Sequence, residues 1–86
     1  MPTISSFYGI LILMYWNEHN PPHFHVKYGD YNAVILIPDF SLAEGWLPPK
    51  ALALVAEWEV IHQEELMENW KRAQEYKTLN KIEPLQ

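Results

Sequence analysis

The sequence predicts an α+β domain: a three- to four-stranded, mostly antiparallel sheet followed by one long or broken C-terminal helix. Three observations carry this. Short apolar or alternating runs, punctuated by Pro and Gly, fill residues 9–43. A Gly29-Asp30 pair joins two of those runs. From Pro48 onward the apolar spacing becomes helical, with no breaker before Thr78-Leu79-Asn80.

The run Gly9–Trp16 is apolar throughout and reads as a strand buried on both faces. Asn17–Pro22 is a polar, proline-stiffened loop. His23–Tyr28 and Tyr31–Ile37 read as a hairpin around Gly29-Asp30. A two-residue turn sets the register: Tyr28 faces Tyr31, Val26 faces Ala33 and Phe24 faces Ile35. On the other face, His25 lies across from Val34 and His23 from Leu36. Pro38-Asp39 breaks the second strand, and Phe40–Ala43 forms a short fourth one, with Glu44-Gly45 turning out of it.

Pro48-Pro49 suits a helix start. Ala51, Leu54, Val55, Trp58 and His62 make one helical stripe; His62, Leu66, Trp70 and Ala73 make a second, rotated one. Glu59 and Gln63 would fall inside a single averaged stripe. The helix therefore bends near His62 or packs against two bodies. His62, Trp58 and Trp70 read as core, and Glu64, Glu65 and Glu68 as a solvated face with Glu68–Arg72 at favourable spacing.

Length and composition bound the function. Residues 1–86 make a single domain. A net charge of −5 disfavours binding to nucleic acid as a general activity. The absence of cysteine excludes disulfides, thiolate metal sites and cysteine nucleophiles. Ile10–Trp16 is too short to span a bilayer, and no signal-peptide pattern opens the chain. A cytoplasmic protein without a membrane partner is expected.

His19-Asn20-Pro21-Pro22-His23-Phe24-His25 concentrates three of the four histidines in seven residues. Strand alternation places His23, His25 and Lys27 on one face, opposite Phe24, Val26 and Tyr28. This string, with Pro2–Ser5, Phe7–Ile10, Tyr28-Gly29, Leu47-Pro48, Glu65–Trp70 and Lys81–Leu85, resembles a small bacterial family, domain of unknown function 4160. The resemblance implies a protein encoded beside a second small protein, in a pairing that looks like a toxin–antitoxin module.

Three chemistries fit the histidine string. His19, His23 and His25 are candidate ligands for a divalent transition metal such as zinc, nickel or iron, with Glu18, Asp30 or His62 available to complete the set. Alternatively, His23, His25 and Lys27 form a metal-free acid–base site, as a small ribonuclease-type toxin would need. The third reading is an interaction module. Val34 and Leu36 make the histidine face partly apolar, while Ala33, Ile35 and Ile37 make the other face apolar too. One helix covers one face, so the other calls for a homodimer or a small protein partner. Composition supports this reading most directly.

Overall fold

The computed structural model describes residues 3–37 and 39–86. Pro38, the expected breaker of the second hairpin strand, lies outside them, as do Met1 and Pro2. Five strands form one antiparallel sheet in sequential order: β1 (Thr3–Phe7), β2 (Ile10–Leu13), β3 (His23–Tyr28), β4 (Tyr31–Leu36) and β5 (Leu42–Gly45). Two helices follow, α1 (Pro49–Ile61) and α2 (Gln63–Gln74).

The fold is α+β as expected, with one strand more than the expected maximum. The addition is β1. Its polar centre, Ser5-Ser6, and a bulge between Thr3 and Ser5 hide the two-residue alternation that would have signalled it. β1 turns into β2 through Tyr8-Gly9, both at positive φ (49° and 80°), as the tightest hairpin turns require. β2 is shorter than the apolar run that contains it. β5 begins two residues later than expected and includes Glu44 and Gly45.

The β3–β4 register has Tyr28 facing Tyr31, Val26 facing Ala33, Phe24 facing Ile35, His25 facing Val34 and His23 facing Leu36. The turn that sets it has Gly29 at φ 57°. One face of the sheet is the core side, where Ile10, Ile12, Phe24, Val26 and Ile35 are fully buried. Trp58 of α1 seals it, packing on Phe7 at 5.5 Å and on Phe24 at 6.0 Å between ring centroids.

The helix breaks at His62, whose backbone leaves helical geometry at φ −116° and ψ 24°. Its ring packs on Trp58 and its Nδ1 bonds the Glu65 carboxylate in the first turn of α2. That places acid at the positive end of α2, while Lys71 and Arg72 occupy its last turn. The second stripe, Leu66, Trp70 and Ala73, is buried on the new heading. The break does not carry Glu59 into solvent. Glu59 is fully buried; Oε1 accepts from Gln63 Nε2 at 3.2 Å and Oε2 has no partner among the described residues.

The C-terminal tail is docked. The buried Asn69 amide donates to the Asn80 carbonyl and accepts the Asn80 N–H, both at 2.8 Å. The Ile82 N–H then bonds the Ile4 carbonyl on the β1 edge, and Trp58 Nε1–H donates to the Glu83 carbonyl, again at 2.8 Å. The β1 edge is thus partly capped by the chain itself. β5, at the other edge, is exposed along its length.

Two glycines separate two physical causes. At Gly45 (φ 81°) a Cβ would sit 2.0 Å from the Asn32 carbonyl oxygen, whereas at Gly29 it would meet nothing within 4 Å. Gly29→Ala should therefore cost only the left-handed backbone penalty, about 1–2 kcal/mol. Gly45→Ala adds a clash with backbone that cannot swing away, and should cost clearly more than Gly29→Ala in chemical denaturation. Equal losses would contradict the close approach of β5 to Asn32.

Burial pushes the Glu59 carboxyl above its ordinary range; Asp39 pushes the same way and the Gln63 bond opposes both. The folded chain then holds this proton more tightly than the unfolded chain, so its contribution favours folding at acid pH. That contribution is lost as pH rises above about 4.5, the ordinary value. Glu59→Gln should raise stability at pH 7 relative to the parent, with the gain shrinking toward pH 4. A gain independent of pH would contradict the assignment.

Candidate metal centre on the open sheet face

His23 and His25 project from β3 away from the core, as the alternation predicts. The double proline shapes their approach. Asn20–Pro21 is a cis peptide. Pro22 offers its carbonyl to the Ile37 N–H at 2.9 Å, extending the sheet pairing beyond His23. The Pro21 carbonyl turns onto His23 Nδ1 at 2.8 Å.

The third member is Glu18. Its Oε1 lies 3.1 Å from His23 Nε2 and 2.8 Å from His25 Nε2. Among the described residues, Glu18, His23 and His25 form the one group whose potential ligand atoms all lie within 4.8 Å of one another. His19 is exposed and outside this group. Asp30 stays in the β3–β4 turn and His62 at the helix break, so neither joins it. Lys27 is exposed two residues along β3.

The group is held from several sides. Asn17, at φ 56°, donates its N–H to the Ala73 carbonyl at 3.2 Å. Gln74 Nε2–H donates to the Glu18 carbonyl at 2.9 Å, and Trp16 Nε1–H to the Lys77 carbonyl at 2.8 Å. The end of α2 therefore anchors the loop that carries Glu18. Trp70 packs on the His23 ring at 5.1 Å, and Tyr15 meets the His25 ring edge-on at 4.7 Å. The three side chains are partly shielded: 13% exposed for His23, 26% for His25 and 28% for Glu18.

The polarity of His23 is informative. A carbonyl oxygen only accepts, so Nδ1 must carry a hydrogen toward Pro21. In a neutral ring Nε2 then presents a lone pair, and it faces a carboxylate oxygen. Two acceptors facing one another need a proton or a cation between them, and a metal ion meets that need. A ring nitrogen donating to a main-chain carbonyl while the other faces the site is how metal-bound histidines are oriented.

A groove of about 330 Å³ opens beside His25 on the same face. Leu13, Tyr15, Lys27, Asn32, Val34 and Glu44 help to line it, and no helix residue does. The sequence marks Trp70 as core and Glu44 as part of a turn, and gives none of Tyr15, Trp70, Gln74 or Glu44 a part in the site. Trp70 and Gln74 lie some fifty residues from the histidines, and no local pattern encodes the contact.

No curated protein and no solved structure matches the chain. The family described as Domain of unknown function (DUF4160) matches residues 9–71, a span that includes Glu18, His23, His25 and Trp70 and stops short of Ala73 and Gln74. With most of its length inside that match, this chain belongs to that family of domains of unknown function.

Proposed function

We propose that the protein works through a divalent transition metal held by Glu18 Oε1, His23 Nε2 and His25 Nε2. The observation that carries this reading is His23, whose two ring nitrogens both face oxygen acceptors. Two imidazoles and one carboxylate suit zinc, nickel or ferrous iron. Three protein ligands leave at least one position for water or for a ligand arriving from the groove, which is the arrangement of catalytic rather than structural sites. The main-chain bond at Nδ1 and the packing of Trp70 and Tyr15 fix the ring orientations that such a site needs. Metal-free acid–base catalysis is served less well, because both ring nitrogens of His23 are already engaged, by the Pro21 carbonyl and the Glu18 carboxylate, and neither is left to face a substrate.

Purified protein loaded with zinc should bind one ion per chain. Glu18→Ala, His23→Ala and His25→Ala should each weaken zinc at least about tenfold, the lower end of what losing even an outer partner costs. His19→Ala should leave affinity unchanged. Calorimetric titration measures this, with circular dichroism confirming that each variant is folded. Folded wild-type protein that binds no zinc, nickel or iron would overturn the reading.

A second reading, partner binding within a toxin–antitoxin-like pair, is supported by the β4–β5 side of the sheet. There Tyr31 and Trp46 pack edge to face at 5.1 Å, and both are exposed together with Leu42. Edge strands with exposed aromatic residues favour association. Sedimentation at micromolar concentration should give a homodimer, or a complex with the adjacent gene's product, and Trp46→Ser should weaken it. A monomer that ignores that product would remove this reading without touching the metal centre.

A further inference from the structure

We infer that the groove beside His25 takes a short zwitterionic peptide, about three residues long, laid across the open sheet face. This deepens the metal reading, because the middle of the ligand would lie next to the proposed ion. It stands on a separate observation: two opposite charges in one groove, neither of which is used. Lys27 and Glu44 both line it. Among the described residues neither side chain makes a hydrogen bond or an ion pair, with the other or with any neighbour. Asn32, a further polar residue of the groove, lies directly across from Lys27.

The sheet register places these groups. Leu13, His25, Val34 and Glu44 form one cross-strand row on the open face, and Leu11, Lys27 and Asn32 form the next. Strand spacing puts Glu44 roughly 10 Å across the sheet from His25, and Lys27 about 7 Å along β3. The two charges therefore sit roughly 12 Å apart at the backbone, with His25 at the corner between them. A fully extended tripeptide is about 10 Å long. Its ammonium end suits Glu44, its carboxylate suits Lys27 and Asn32, and its central part crosses β4 beside Val34, with His25 alongside. A polyanion such as RNA fits poorly, since Glu44 and the net charge of −5 repel it. A simple anion would leave Glu44 unmatched.

The test is calorimetry on the full chain, with and without zinc, using glycyl-leucyl-glycine, its N-acetyl form and its C-terminal amide. The free peptide should bind, and blocking either end should weaken it about fivefold, the scale of one exposed charge pair. Glu44→Gln should abolish the difference made by acetylation and keep that made by amidation. Lys27→Met should do the reverse. Both variants are surface changes, and circular dichroism verifies their folding. If the free and blocked peptides bind alike, or none binds, the groove assignment is wrong even where zinc binds normally. If zinc fails to bind while the end-specific pattern persists, the groove assignment stands and the metal reading falls.

Discussion

The break at His62 is the constraint on which the rest of the structure depends. A straight helix from Pro49 to Gln74 would run about 39 Å at 1.5 Å per residue, longer than the 33 Å of the molecule's greatest extent. Breaking it lets one segment press Trp58 against Phe7 and Phe24 while the next turns Trp70 onto His23. The same turn delivers Ala73 and Gln74 to the Asn17–Glu18 loop. Core and site thus share one cause. His62 stabilises the junction by packing on Trp58 and bonding Glu65, so the residue that ends α1 also prepares the start of α2.

From that junction the centre follows by short steps. The Pro21 carbonyl accepts from His23 Nδ1 and so orients the ring, while the Pro22 carbonyl accepts from the Ile37 N–H and holds the start of β3. Strand alternation puts His25 on the same face. The α2 terminus holds the loop so that one carboxylate oxygen meets both imidazoles. Aromatic packing by Trp70 and Tyr15 restricts ring rotation, which is the preorganisation a metal site requires. The groove is lined by no helix residue, but it shares His25 and Tyr15 with the proposed centre, so the two adjoin on one face.

What could be read from the sequence was whatever a local rule encodes. Gly29-Asp30 between two alternating runs specified the β3–β4 register residue by residue. The two rotated stripes around His62 specified a helix that changes heading. β1 escaped because Ser5-Ser6 and a bulge erased its alternation. Placing His23 and His25 on one face needed only period two, but choosing their third partner did not follow from spacing. His19 is nearer to them in the chain and chemically plausible, yet its neighbour Glu18 is the residue turned inward, because α2 grips the loop from some fifty residues away. The burial of Glu59 was equally hidden, since a carboxylate inside a helical stripe argues for a bend and not for a carboxyl kept in the core.

The central claim is that Glu18, His23 and His25 together hold one metal ion. Anomalous diffraction from crystals grown with zinc, collected above and below the zinc edge, tests it most directly. The account predicts a single strong peak within about 2.0–2.2 Å of Glu18 Oε1, His23 Nε2 and His25 Nε2, with the Pro21 carbonyl still bonded to His23 Nδ1. Crystals in which zinc sits elsewhere, while Glu18 keeps its direct bonds to both histidines, would contradict it.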